Sequence, residues 1–220
     1  MPEEDVLGPL PAGRHGFSRE QVEHSQRERL IAGLATAVAE HGYNAVTIGH
    51  VTKQARVSRR VFYANFDGKE ECFLAAFDVV VGYVRELAAE AVGEAPAGWS
   101  HRAIAAARAT LAFFASEPDL ARLCLVESNT AGPAVAARFR EAAQELVPLL
   151  ELGRAQRDGE RPLPASTEDS VVGALISLAS RKVAAGEAER LGELLPDVTE
   201  FVLAPYLGAD EAARLAREAA

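Results

Sequence analysis

Apolar residues recur along most of the chain at intervals of three and four positions, the pattern of amphipathic α-helices. The first such stripe predicts a helix over residues 19–40, opened by a capping box at Ser18–Gln21 and closed at Gly42. Its apolar positions are Val22, Leu30, Ile31, Leu34 and Val38. Runs of alternating β-branched residues, which favour strands, are missing, so the pattern predicts an all-α protein without a sheet.

Two short helices follow and predict a helix-turn-helix motif. Thr47 is a candidate N-cap for a helix over 48–55, and Ser58 is one for a helix over 59–66. The turn between them is Ala55–Val57. Helical spacing then predicts a buried face with Phe62 and Phe66 and an exposed face with Arg59, Arg60, Tyr63 and Ala64.

The rest of the chain predicts a larger helical bundle. A capping box at Asp67–Glu70 opens a long fourth helix, which places Lys69 at the second helical position. Further helices are expected from the cap Ser100 onward and over residues 118–128, 134–153, 166–185 and 187–207. Pro196 either kinks the last of these or restarts it. We expect a mobile tail (1–17), a three-helix helix-turn-helix domain (18–66) and a larger C-terminal helical domain (67–220).

Several classes of protein lack support in the sequence. No apolar stretch approaches the roughly 20 residues of a membrane helix, and the acidic start Met1–Asp5 is unlike a signal peptide, so we expect a cytoplasmic protein without a membrane partner. The two cysteines, Cys72 and Cys124, lie in apolar surroundings without metal-ligand spacing. We predict packed thiols, no metal and no cofactor, and leave a redox role for Cys124 open.

Charge divides the chain into two unlike parts. The net charge is −9, but residues 14–71 hold nine Lys and Arg against seven Asp and Glu. Arg59, Arg60 and Lys69 are predicted in the first turns of helices, where a cation opposes the helix dipole by about 0.3–1 kcal/mol. An external polyanion over both helix starts would offset this cost, and DNA is the obvious one. The plain alternative is a solvated charged face.

The same region resembles a known family. The residues that carry the resemblance are Gly42-Tyr43, Val46-Thr47-Ile48, Val51, Ala55, Val57-Ser58-Arg59, Phe62-Tyr63, Phe66 and Lys69-Glu70-Glu71. They are similar to the N-terminal pattern of the TetR family of bacterial transcriptional repressors, over about residues 18–77. The remainder of the chain is compatible with that family in length and helicity.

The resemblance implies a DNA-binding role for particular residues. The third helix would enter the major groove, while Thr47, Tyr63 and Lys69 would contact the DNA backbone. Arg59 and Arg60 are then candidates for reading guanine, which arginine can bond through two atoms. Two more residues belong to the predicted interface. Ser58 would cap the third helix, contact a phosphate, or do both, and Arg56 would contact a phosphate.

Arg56 is a departure from the family pattern, which has glycine in this turn. We expect Arg56 to adopt a positive φ at a cost of order 1 kcal/mol. A contact from its side chain to a phosphate would offset that cost.

The resemblance also implies an effector pocket and a dimer in the C-terminal part. The candidate pocket residues are Trp99, Arg102, Phe113, Phe114, Glu127, Asn129 and Phe139, although core packing explains each one singly. The last two predicted helices have broader apolar faces than one core needs, which indicates a partner, and the family implies a homodimer. The candidate interface residues are Val171, Val172, Leu175, Leu178, Ala179, Val198, Phe201, Val202 and Tyr206.

The favoured function is that of a ligand-responsive repressor on a near-palindromic operator. An all-helical enzyme is one alternative, but no G-x-S-x-G, H-E-x-x-H or P-loop sequence supports it. A protein-binding adaptor that uses the same bundle is another.

Overall fold

The structure of the chain is a computed structural model that describes residues 19–157 and 162–220. The predicted tail and the predicted cap at Ser18 lie outside the described residues. Within them the chain is all-helical, as predicted. The α-helices are α1 (Arg19–His41), α2 (Ile48–Gln54), α3 (Arg59–Asn65), α4 (Lys69–Glu94), α5 (Trp99–Ser116), α6 (Pro118–Leu125), α7 (Pro133–Gln144), α8 (Val147–Glu151), α9 (Thr167–Ala184), α10 (Leu195–Leu207) and α11 (Ala209–Ala219). Short 3-10 helices cover Glu127–Asn129, Leu152–Gln156 and Ala188–Leu194.

Helices α1, α2 and α3 pack on one another, and their buried side chains belong to the same apolar core as those of the other helices. Those that are fully buried in this part of the core include Leu30, Leu34, Val51 and Phe62. Helix α2 approaches α1 closely at Gly33, where an added Cβ would lie 2.8 Å from the backbone nitrogen of Ala55. Glycine at this position therefore permits the two helices to cross at short distance.

Helix α1 also fixes the far end of α3. The Arg27 guanidinium donates to the carbonyl oxygen of Asn65 at 3.2 Å and lies 4.4 Å from the centre of the Phe66 ring. A cation at a helix C-terminus interacts favourably with the dipole, and stacking on the ring adds a cation–π contact. These contacts orient the short α3, which could not remain folded alone.

The beginning of α4 differs from the prediction. The N-cap is Gly68 without a side-chain cap, and Lys69 is the first helical residue rather than the second. The carboxylate of Glu71 accepts the backbone N–H of Asp67 at 2.6 Å, so α4 begins one residue later than predicted. Helix α5 likewise begins at Trp99 with Gly98 as N-cap, so Ser100 is not its cap.

The predicted helix over 134–153 is divided in two. Helix α7 ends at Gln144, and α8 begins with Val147 and Pro148 in its first turn. Proline has no N–H and clashes with the carbonyl four residues earlier, so Pro148 cannot extend α7 and starts a new helix instead. Pro196 acts in the same way, since it lies in the first turn of α10.

Helix α11 was missing from the sequence prediction. Its buried residues are mainly alanines, namely Ala212, Ala216 and Ala219, together with Leu215. Because alanine is small, the buried and exposed faces of α11 differ little in hydrophobicity, and the sequence pattern is weak. The helix forms because it packs along α10.

Trp99 joins three elements of the C-terminal part. Its Nε1 donates to the carbonyl oxygen of Leu149 at 2.8 Å, and its ring lies edge to face with Tyr206 at 4.9 Å. The indole also covers Gly153, where an added Cβ would lie 2.6 Å from a ring carbon. The only tryptophan thus packs the start of α5 against α8 and α10.

A charged network lies beside this contact. The Glu168 side chain is 2% exposed and accepts two hydrogen bonds from the Arg154 guanidinium, at 2.9 and 2.5 Å. Tyr206 donates its hydroxyl to Glu168 at 3.0 Å. Burial alone would raise the pKa of Glu168, but the bonds from Arg154 and Tyr206 hold it below its usual value.

None of the described helices combines the length and the low charge that crossing a membrane requires.

Candidate nucleic-acid interface

Helix α3 presents a basic face to solvent. Arg59, Arg60 and Ala64 are exposed and Tyr63 is 59% exposed, whereas Phe62 and Phe66 are buried. The division between the two faces is the one that the sequence predicts. Ser58 is the N-cap, and its hydroxyl accepts the backbone N–H of Val61 at 3.3 Å.

The start of α2 lies beside these arginines. Thr47 is the N-cap, as predicted, and forms a capping box with His50: the Thr47 hydroxyl accepts the His50 N–H, and His50 Nδ1 accepts the Thr47 N–H. The guanidinium of Arg59 reaches the same place, since an added Cβ on Gly49 would lie 3.2 Å from Arg59 Nη2. Thr47, Arg59 and the first turn of α2 therefore share one surface.

The cations on this surface have no carboxylate partners in the part of the chain that the structure describes. Thirteen ion pairs occur in that part, and none involves Lys53, Arg56, Arg59 or Arg60. Arginines elsewhere are paired, for example Arg138 with Asp78 and Arg214 with Glu211. The positive charge of α2 and α3 thus remains available to an external anion.

The turn between α2 and α3 contains the predicted strained residue. Arg56 has a φ of 53° and is the one non-glycine residue with positive φ in the described ranges. The N–H of Val57 donates to the carbonyl of Thr52 at 3.0 Å and that of Arg56 to Lys53 at 3.3 Å, which is the Schellman end of a helix. Glycine is the usual residue at this position because it has no Cβ to strain.

Replacing Arg56 with glycine is expected to raise the free energy of unfolding by about 1 kcal/mol, because the left-handed conformation costs a residue with a Cβ about 1–2 kcal/mol. Urea denaturation followed by circular dichroism measures the change. Arg140→Gly, at an exposed interior position of α7, is the matched control and should lose about 1 kcal/mol. Equal losses in both variants would show that the turn carries no strain.

Lys69 is engaged inside the chain. Its Nζ donates to the carbonyl oxygens of Tyr43 at 2.8 Å and Val46 at 3.2 Å and lies 4.3 Å from the centre of the Tyr43 ring. These oxygens and the ring offset the cost of a cation at the start of α4. An external anion is therefore not needed to explain the position of Lys69, which corrects that part of the charge argument, and its contact with DNA stays a prediction.

The predicted effector-pocket residues do not line one cavity. Phe113 and Phe114 pack together, Phe139 lies against Phe77, and Trp99 is packed as described above. Glu127 is buried in the connection after α6, and Arg102 and Asn129 are exposed. A hollow of about 310 Å³ lies elsewhere, between α5 and α11. Its lining includes His101, Ile104, Arg108 and Leu215, which no sequence pattern had indicated as pocket residues.

Most of the predicted dimer residues face the chain's own core. Those that are buried are Val171, Val172, Val198, Val202 and Tyr206. Leu175, Leu178 and Ala179 are half-buried, and Phe201 is 45% exposed. The apolar surplus that indicated a partner is taken up in part by α11, which packs along α10.

Both cysteines are buried thiols, as the sequence predicts. Burial raises the pKa of Cys72 to about 12 and also raises the pKa of Cys124. Because the thiolate is the reactive form, both side chains are poor candidates for redox chemistry. In the described ranges, no group of three His, Cys, Asp or Glu side chains is placed to hold a metal ion.

Similar proteins share this fold. The regulator of fatty acid degradation FadR from Bacillus halodurans is 19% identical, with 81% of this chain and 94% of that one covered and a TM-score of 0.70. The transcriptional regulator FadR from Bacillus subtilis, in complex with stearoyl-CoA, is 18% identical over 82% and 97% of the two chains, with a TM-score of 0.68. AibR, in complex with isovaleryl coenzyme A and operator DNA, is 17% identical over 78% and 98%, with a TM-score of 0.58. No curated protein matches the sequence.

The helical bundle and its basic α3 define a helix-turn-helix protein. Residues 30–76, which hold most of α1, all of α2 and α3 and the start of α4, match the family described as "Bacterial regulatory proteins, tetR family". The N-terminal part of the chain is therefore similar to the TetR family, and the solved structures named above share the fold over most of the chain.

Proposed function

We propose that the chain is a cytoplasmic repressor that binds a near-palindromic operator as a homodimer and leaves it when a small effector binds. The observation that carries the proposal is the exposed face of α3, where Arg59 and Arg60 have no carboxylate partner in the described ranges. Tyr63 and the Thr47 end of α2 flank these arginines. Arginines there can read guanine while hydroxyl and amide groups contact the backbone.

The assignment of roles follows from this surface. Arg59 and Arg60 read bases, and Thr47, Ser58, Arg56, Tyr63 and Lys69 contact phosphates. Residues 18–66 act as the DNA-binding domain, and residues 67–220 bind the effector and the second copy. The dimer places two α3 helices about one turn of DNA apart, and an operator with two related half-sites matches that symmetry.

The face that α9 and α10 leave uncovered suits a second copy of the chain. Gly173 has no atom within 4 Å of the position of an added Cβ, and Ser177 and Phe201 are exposed. A helix from a partner can approach closely over Gly173 and bury Phe201. Residues on this outer face, rather than the buried Val172 or Val202, are the ones we expect in the dimer contact.

Selection of bound duplexes from a random DNA pool, with the purified full-length chain, tests the function directly. We expect an inverted repeat to emerge and its affinity to fall steeply with salt, with a slope that reports the number of phosphate contacts. Light scattering gives the mass of the free and bound protein. Failure to enrich any sequence, or binding by a monomer to a single half-site, would contradict the proposal.

The effector class to test first is acyl-coenzyme A. Two of the structural neighbours were solved with such compounds, stearoyl-CoA and isovaleryl coenzyme A. The hollow between α5 and α11 offers Arg108 and His101 beside apolar Ile104 and Leu215. A series of acyl-CoA thioesters of increasing chain length should raise the melting temperature and release the selected DNA in the same order of potency.

A further inference from the structure

Glu127 connects the helical bundle to the DNA-binding part of the chain. It lies in the 3-10 turn that follows α6, and the whole residue is 7% exposed. Its Oε2 accepts the backbone N–H of Tyr43 at 2.9 Å, a contact between residues 84 positions apart. Its Oε1 pairs with Arg122 Nη2 of α6 at 3.0 Å. One carboxylate thus bonds α6 on one side and the α1–α2 connection on the other.

The α1–α2 connection is held from its other side by α4. Lys69 Nζ donates hydrogen bonds to the carbonyl oxygens of Tyr43 and Val46. The Tyr43 ring packs edge to face on the ring of Phe73, with 5.3 Å between the ring centres. The next residue after Val46 is Thr47, the N-cap of α2. The segment that leads into the DNA-facing surface is therefore fixed between α4 and the turn after α6.

Loss of the Glu127 bond has a definite physical cost. A buried carboxylate that loses a donor is left partly unsatisfied, and hydrogen bonds to charged groups are stronger than neutral ones. This bond therefore favours the orientation of α2 and α3 that the structure shows.

We propose that Glu127 is a positioning residue that fixes the angle of the DNA-binding part on the bundle and so sets the distance between the two α3 helices of the dimer. This inference rests on the proposed function, because it needs a dimer on a two-part operator. Movement of α6 changes DNA affinity through this bond, since α6 carries Arg122 and leads directly into Glu127.

The distance between half-sites is the property that such a residue controls. The experiment compares the affinity of the full-length chain for the selected operator with its affinity for operators whose central spacer is one or two base pairs longer or shorter. In Glu127→Ala the preference for the native spacing is expected to fall by about tenfold, because a looser junction accepts other spacings. Glu127→Gln keeps an oxygen that can accept the Tyr43 N–H, and we expect it to restore most of the preference.

Glu145→Ala is the matched control. Glu145 pairs with Arg85 at 2.6 Å, so the substitution also removes the carboxylate of an ion pair, but this pair is exposed and lies within the bundle. Its spacing preference should equal that of the unmodified chain. A preference within twofold of the unmodified chain in folded Glu127→Ala overturns the proposal, and so does an equal loss in Glu145→Ala.

Hydrogen exchange at the Tyr43 amide tests the bond without DNA. In the unmodified chain the amide is expected to exchange at least 100-fold more slowly than an unstructured amide, and about tenfold faster in Glu127→Gln than in the unmodified chain. Exchange at the unstructured rate in the unmodified chain overturns the inference, even if the alanine variant does not fold. The proposed function fails separately, if the unmodified chain selects no operator.

Discussion

Joint replacement of Arg59 and Arg60 with alanine is expected to lower the affinity for the selected operator by at least about 100-fold. A bidentate contact between arginine and guanine contributes about 1–3 kcal/mol to discrimination, and each half-site loses two such residues. A tenfold change corresponds to about 1.4 kcal/mol, so the loss of even one good contact in each half-site reaches this value. Gel shift or fluorescence anisotropy at fixed salt measures it.

The fold should survive this change. Both arginines are exposed and lie in the first turn of α3, where a cation opposes the helix dipole. We therefore expect the melting temperature of the double variant to equal or slightly exceed that of the unmodified chain. A drop of more than a few degrees would mean that the loss of binding reflects unfolding.

Two arginines in the C-terminal part of the chain provide a control with the same change in charge. Arg190 and Arg214 are exposed arginines that pair with Glu193 and Glu211, outside the helix-turn-helix region. Arg190→Ala together with Arg214→Ala should bind the operator within about threefold of the unmodified chain, since distant charges are screened beyond about 10 Å at moderate salt. Equal losses in both double variants would contradict base reading by α3.

Glu168→Gln is expected to lower the free energy of unfolding by about 2–4 kcal/mol. Removing one partner of a buried ion pair usually costs 3–5 kcal/mol, and the side chain of Arg154 keeps 35% exposure, which reduces the value. The amide also cannot accept both guanidinium bonds and the Tyr206 hydroxyl as a carboxylate does. Urea denaturation at neutral pH measures the change.

An exposed pair provides the comparison for Glu168. Glu193 pairs with Arg190 at 2.9 Å, and both side chains are more than half exposed, so solvent screens the pair and Glu193→Gln should cost much less stability than Glu168→Gln. Similar losses in the two variants would show that burial of Glu168 does not matter for stability.

The stabilising effect of Glu168 also depends on pH. Because the folded protein holds the pKa of Glu168 below its usual value, its contribution is fully present above the pKa of an unfolded glutamate. It is lost as the pH falls through the lower folded value. The difference between the unmodified chain and Glu168→Gln should therefore shrink in acid, and a difference that grows there would contradict the assigned ion pair.

Local sequence signals predicted the helix starts of the basic surface formed by α2 and α3 well. Thr47 and Ser58 were recognisable as N-caps because a hydroxyl next to an apolar stripe satisfies free amides within three residues. The positive φ of Arg56 was expected from the resemblance to a family that has glycine in this turn. For the two caps the partners lie close together in the sequence, so spacing alone determines them.

The contacts between distant parts of the chain could not be predicted in this way. Glu127 was selected only as a pocket candidate, whereas its carboxylate bonds a backbone N–H in another part of the fold. Trp99 bonds a carbonyl and covers a glycine that follow 50 or more positions later. Contacts to backbone atoms and to glycines do not alter the spacing of apolar residues, so hydrophobic periodicity cannot predict them. Helix α11 was not predicted because its buried face consists mainly of alanines, which differ little in hydrophobicity from the exposed positions.

The two buried thiols make the chain convenient for spectroscopy. Maleimide dyes react with thiolates, which add to the maleimide double bond, and the two native cysteines, Cys72 and Cys124, are both buried and protonated at neutral pH. A single cysteine introduced at the exposed Ala64 would then carry one fluorophore per subunit on α3 itself. In the proposed dimer, energy transfer between the two labels would report the separation of the two α3 helices in solution.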